Sequence, residues 1–328
     1  MRVKFLMFTA CLFFGIHAVA GERWQPYPPE LTRFAYSEQN LGEHWQALTD
    51  GFRGPLPTAQ SLKADAERWP DLYDYTRTHL QSVAASQPQL AHLSEGELSD
   101  HFDAYATELR RAWSLLFNGQ FREARDLGLN LGPAGYFPGL YAQALYATLI
   151  VKDEAERRTL LEEVVSRTNE ILPMAPDHPM IRFGRAYGKA RILEGLSATE
   201  AMGTGFTSDV LENLEELLDE DPNNIYAITL MAGVQSGIIE KAGGFVARMT
   251  YGAKASTMES LFQQALQLTP DYPGVYYEYA RAKLKVYDDD GQEAARELLE
   301  QASAMTPSSA EEALMLQAAA QMRQHLSE

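Results

Sequence analysis

The feature that most constrains this chain is a recurring restart. In LQLTPDYPGVYYEYARAKL, from Leu266 to Leu284, a proline-aspartate turn interrupts one apolar periodic segment and opens the next. EILPMAPDHPMIRFGRAYGKA from Glu170, ELLDEDPNNIYAITLMAGVQ from Glu216 and QASAMTPSSAEEALMLQAAAQ from Gln301 repeat the device. Segments of helical period end at Gly or Pro, Asp or Ser often opens the next, and alternating β-branched runs are almost absent. These patterns predict an all-α chain of successive helical hairpins.

Pro176, Pro222, Pro270 and Pro307 anchor the restarts at spacings of 46, 48 and 37 residues. A small residue recurs at one position of each first helix, as Ala186, Ala232 and Ala280. The second helices carry Val210, Leu214 and Leu217, then Met258, Phe262 and Ala265, then Ala295, Leu299 and Ala302. Paired helices approach most closely at such positions, which therefore require small or regularly spaced apolar side chains.

With these residues the chain resembles the tetratricopeptide repeat family, in divergent form, over Ser99 to Gln324. NGQFREARDL, Asn118 to Leu127, matches the family's G-x-F-x-x-A pattern at Gly119, Phe121 and Ala124. The departures are a period longer than the family's ~34 residues, and Ile228, Met231 and Ala232 in one repeat and Tyr276, Tyr279 and Ala280 in another where the family carries tryptophan and leucine-glycine. The repeat near Tyr136 has two rival anchors, Pro133 and Pro138. The resemblance implies a right-handed solenoid of helical hairpins over residues 99–328, with an N-terminal arm and helical cap over 21–98. The second half is also distantly similar to the helical T-component of tripartite ATP-independent periplasmic transporters, which has a Gly-Gly-containing connector. No residue roles carry over from that similarity.

The first twenty residues read as a secretory leader: Arg2 and Lys4, an apolar Phe5 to Ile16, and Ala18-Val19-Ala20 before Gly21. Cleavage after Ala20 implies a periplasmic protein. A lipoprotein cut before Cys11 would leave only Phe5 to Met7 as its apolar core. Cys11 is the chain's one cysteine, so the expected mature protein has no disulfide, thiolate nucleophile or cysteine-metal site. Without the leader, 26 basic residues face 45 acidic ones, a net charge near −19. That balance argues against nucleic acid and against an anionic membrane as default partners, because phosphate recognition needs clustered Lys and Arg. No stretch predicts an integral membrane protein.

Catalytic patterns are missing: there is no G-x-S-x-G elbow, P-loop, dinucleotide fingerprint or H-E-x-x-H. The histidines are scattered, and Asp288-Asp289-Asp290 lacks the EF-hand spacing. No enzyme activity, cofactor or metal is expected. Trp24, Trp45 and Trp69 read as anchors of the N-terminal segment to the first repeats or as its cap over the open end.

The repeat implies a concave wall lined by first helices. Counting from the anchors places Met180, Phe183, Tyr187 and Arg191 there, then Tyr226 and Thr229, then Tyr277, Arg281 and Lys285, while the earlier hairpin adds Trp113 and Phe117. Aromatic rings interleaved with cations suit an acidic or carboxylate-bearing peptide or small molecule, although the same tyrosines could pack between repeats. Two stretched turns, Leu193 to Thr207 and Glu240 to Lys254, are either flexible connectors or a lip over a binding surface, with Phe245, Met249 and Tyr251 its candidate residues. The expected function is a non-enzymatic interaction module for a periplasmic protein or peptide. The alternative is a small-molecule-binding accessory component of a periplasmic transporter.

Overall fold

A computed structural model describes residues 24–327. The expected leader and its cleavage site lie outside them. Among the described residues the secondary structure is entirely helical, with no strand, and no helix is long and apolar enough to cross a membrane.

Three helices come first: α1 (Leu41–Thr49), α2 (Ala59–Arg68) and α3 (Pro70–Val83). Each start has a local cause. Thr58 accepts from the Ser61 N–H and Ser61 returns the bond, a capping box for α2, while Pro70 opens α3 with φ already suited to a helix.

Then come α4 (Phe102–Phe117), α5 (Phe121–Leu131), α6 (Pro133–Leu149), α7 (Glu154–Ile171) and α8 (Pro179–Glu194). Pro133 opens α6, whereas Pro138 lies buried inside it. Helices α5 and α6 meet backbone to backbone: a Cβ on Gly128 would lie 2.4 Å from the Gly135 carbonyl oxygen, so only glycine permits this crossing.

The remaining helices are α9 (Ala198–Thr204), α10 (Phe206–Glu220), α11 (Ile225–Ala242), α12 (Gly244–Tyr251), α13 (Ala255–Leu268), α14 (Pro273–Tyr287), α15 (Gln292–Ser303) and α16 (Ala310–His325). Helix α8 pairs with α10, α11 with α13 and α14 with α15. The two stretched turns thus each contain a short helix, α9 and α12. Ala186, Ala232 and Ala280, together with Val210, Leu214, Met258, Phe262, Ala265, Ala295, Leu299 and Ala302, are wholly buried where these helices meet.

The first helices also touch in succession: α4 packs on α6, α6 on α8, α8 on α11, α11 on α14 and α14 on α16. Helix α16 then returns to pack on both α4 and α6, so the inner wall closes on itself. The N-terminal arm straps the closure. Tyr36 exchanges hydrogen bonds with Asn118 at 2.9 Å and donates its hydroxyl to the Ser308 carbonyl at 2.6 Å. Each of three tryptophans finds a separate seat: Trp24 stacks on Tyr146 of α6, Trp45 meets Trp113 of α4 edge-on, and Trp69 donates to Asp177 before α8.

Candidate functional site

The closed inner wall contains two regions of opposite character. The first is a hub filled by Arg53. Helix α1 stops at Asp50, whose φ of 48° leaves the helical region, and Gly51 and Gly54 continue at 79° and 76°, values that favour glycine. The loop folds back, held by the Trp45 indole N–H on the Gly54 carbonyl at 3.1 Å. This turn carries Arg53 into the interior.

There Arg53 Nη2 lies 2.7 Å from Glu311 Oε2, the two side chains being 4% and 2% exposed. Glu311 also accepts from the hydroxyls of Tyr141 and, at 3.2 Å, Tyr272. The guanidinium sits 4.6 Å from the ring centre of Tyr141, 4.8 Å from that of Tyr226 and 5.7 Å from that of Phe117. Burial, and then Glu311, push the Tyr141 and Tyr272 phenols well above their usual range, so both remain donors at neutral pH. A buried ion pair is costly to desolvate, and here phenols and π faces surround it, while Arg53 Nη1 is buried without a hydrogen-bond partner.

The second region is an open cavity of about 260 Å³ between α8, α11 and α14, with α9 and α12 at its mouth. Its walls are mainly apolar and include Leu193, Leu230, Val234 and Ile238. Tyr226 belongs to both regions, since it lines the cavity as well as facing Arg53. Along α11 the inner-face count that gives Tyr226 and Thr229 continues to Gly233 and Gly237. The equivalent positions are Tyr187 and Arg191 on α8 and Arg281 and Lys285 on α14. A Cβ at Gly233 or Gly237 would meet nothing within 4 Å. The cavity exists because two side chains are missing from the middle helix of three.

One end of the cavity carries a ladder of charges. Arg191 contacts Glu194 at 3.0 Å and Glu278 at 2.6 Å; Arg281 contacts the same pair at 3.1 and 2.8 Å; Lys285 approaches Glu194 at 3.4 Å. Desolvation raises the Glu194 and Glu278 carboxyls, but the arginines outweigh it and hold both below the ordinary carboxylate range. Two polar atoms of lining residues, Arg191 Nε and Thr229 Oγ1, are buried without a hydrogen-bond partner.

The structure thus brings together Phe183, Tyr187, Arg191, Tyr226, Tyr277, Arg281 and Lys285 on adjoining inner helices. It does not leave their cations as an open positive floor, because Glu194 and Glu278 pair with them. Tyr277 and Arg281 belong to the ladder but do not line the cavity. Trp113 stands apart, buried against Trp45 and Phe117. Tyr251 lines the cavity, whereas Phe245 and Met249 project outward, 79% and 69% exposed. The sequence reading missed Arg53, Glu311, Tyr141 and Tyr272, which share no periodic position, and Gly233 and Gly237, which have no side chain to attract notice. Among the described residues no group of three or more His, Asp or Glu side chains gathers as a metal site.

No protein-family model matches the chain. No curated protein matches it significantly either.

Proposed function

We propose that this is a non-enzymatic binding protein whose ligand is a small, mainly apolar molecule with a hydrogen-bond-accepting end, held between α8, α11 and α14. The observation that carries this is the cavity of about 260 Å³, apolar along its walls and bearing two unpaired buried donors, Arg191 Nε and Thr229 Oγ1, at residues that line it. Its size lies just under the ~300–1,000 Å³ usual for ligand pockets. An unpaired buried donor costs free energy until an acceptor reaches it.

This favours the small-molecule reading over the peptide groove. The inner wall where a peptide would lie is filled by Arg53, its tyrosines and α16. We read the hairpins as tetratricopeptide-like and right-handed, and the chain as exported to the periplasm, where such a protein would serve a transporter by holding its cargo. The similarity to the T-component agrees with that assignment.

The test is titration with 8-anilinonaphthalene-1-sulfonate, an apolar probe with a single anionic group, followed by displacement with medium-chain carboxylates and alcohols. Saturable one-to-one binding is expected, with carboxylates displacing the probe better than alcohols of equal length. Gly233→Trp fills the cavity and should weaken binding at least about tenfold, equivalent to ~1.4 kcal/mol, with an unchanged circular dichroism spectrum. Equal binding by parent and Gly233→Trp would remove the cavity from consideration.

A further inference from the structure

Among the described residues only six large apolar side chains are left exposed, and four of them, Met202, Phe245, Val246 and Met249, lie on α9 and α12. Met202 and Val246 also line the cavity, so the exposed patch and the cavity wall are continuous. An exposed apolar cluster of this kind marks a contact surface rather than chance exposure.

Its charge is equally distinctive. From Lys241 to Met258 the chain has no Asp or Glu but carries Lys241, Arg248 and Lys254, in a protein whose expected net charge is near −19. Arg248 and Lys254 are exposed, and their side chains form no ion pair among the described residues. Lys241 donates to the carbonyls of Glu194 and Leu196, which leaves its positive charge uncompensated by a carboxylate there. Helix α12 buries only Ala247, and glycines with positive φ, Gly243 and Gly252, stand at its two ends. It is a short amphipathic helix lying on the surface with its apolar face outward.

We propose that the α9–α12 face docks on an anionic lipid bilayer, with Phe245 and Met249 entering the head-group boundary while Arg248 and Lys254 meet the lipid charges. Apolar side chains bordered by cations suit that interface, and a protein partner would need an acidic, apolar surface of matching shape. Helix α9 adds one exposed carboxylate to this face, Glu200, which accepts from Ser197 at the start of its own helix; the three cations outnumber it, whereas the acidic remainder of the molecule is repelled by such a bilayer. Resting on the ligand reading above, docking would place the cavity mouth against the membrane, from which a lipid-dissolved amphiphile could enter without crossing water.

The experiment is co-sedimentation of the purified protein with vesicles of phosphatidylglycerol and phosphatidylcholine, compared with phosphatidylcholine alone. Binding is expected only to the anionic vesicles and should weaken with added salt. Phe245→Ser with Met249→Ser should reduce it at least about tenfold, and Arg248→Ala about fivefold. Leu268→Ser, an exposed apolar position on α13, should leave it unchanged. Gly233→Trp should still sediment with vesicles while losing the probe, which separates docking from ligand binding; in the parent protein, sedimentation without probe binding would defeat the cavity reading alone. Probe binding without sedimentation would overturn the docking proposal. So would sedimentation undiminished in the double serine variant. A concentration-dependent dimer in analytical ultracentrifugation, lost in that variant and accompanied by no vesicle binding, would assign the face to a second copy instead.

Discussion

Where α6, α11 and α16 converge, the inner wall is filled by a guanidinium, a carboxylate and three phenol rings; where α8, α11 and α14 converge, it encloses open space with a ladder of charges at one end. Helix α11 serves both regions, supplying Tyr226 to the first and Gly233 and Gly237 to the second. The difference lies in what each absence would do. Both regions hold an unpaired buried donor, Arg53 Nη1 in the hub and Thr229 Oγ1 in the cavity, but removing Glu311 strands a full charge in low dielectric, whereas removing the neutral Thr229 hydroxyl breaks no bond. We therefore assign the hub to holding the closed wall together and the cavity to a ligand.

Glu311→Ala should have the largest effect. It leaves Arg53 buried among aromatic rings without its counter-charge, and urea denaturation should show a loss of about 3–5 kcal/mol. Replacing both partners, as Arg53→Met with Glu311→Leu, should recover much of that loss. Thr229→Val is the cavity counterpart: its hydroxyl has no partner, so stability should change by less than about 1 kcal/mol. Similar losses in Glu311→Ala and Thr229→Val would erase the distinction between hub and cavity.

The N-terminal segment that delivers Arg53 has a second fastening, and acid should loosen it. His178 packs between Trp69 at 4.3 Å and Phe137 at 4.6 Å and accepts the Met180 N–H on Nδ1 at 3.2 Å. Burial pushes its pKa down to about 3, so it is neutral in the folded protein. The unfolded chain, titrating near 6.5, takes up the proton first. Stability is therefore fully present above about pH 6.5 and declines as pH falls toward 3, by about 2 kcal/mol between pH 7 and 5. Asp177 adds to the decline only near the bottom of that range, because bonds from Trp69 and then Arg68 lower its pKa to about 2. His178→Asn keeps a cap acceptor and should flatten the curve between pH 7 and 5. An equally steep curve in that variant would place the acid sensitivity elsewhere.

The helices were legible in the sequence because close packing demands particular sizes at particular intervals. Ala232 and Ala280 lie wholly buried where the proline register puts them. That register also placed Tyr187, Arg191, Arg281 and Lys285 on one wall. Their neutralisation was not legible: Glu194 and Glu278 lie off the positions counted, and their pairing depends on how three helices are rotated together. Arg53 had no periodicity to reveal it, since it stands in a loop and its carboxylate partner is on α16. Trp113 lies where the count from Ala124 puts a wall residue, yet Trp45 of the N-terminal segment covers it. The cavity escaped notice for a different reason: glycine within a helical segment reads as a weakness in the helix, and only the neighbouring helices turn it into space.

That last point gives the smallest effect and the most discriminating one. Glycine inside a helix costs up to about 1 kcal/mol relative to alanine, through lost backbone entropy. At Gly233 and Gly237 an added methyl meets no atom within 4 Å, so nothing offsets the gain. Gly233→Ala and Gly237→Ala should each stabilise the protein, by about 0.5–1 kcal/mol in urea denaturation. Gly128→Ala should do the opposite, because its methyl would lie 2.4 Å from the Gly135 carbonyl oxygen. The two stabilising changes should nevertheless weaken probe binding, since each places a methyl where the ligand would sit. Stabilised variants that bind as well as the parent would mean that the space beside α11 is not used; destabilised ones would mean that it is not space.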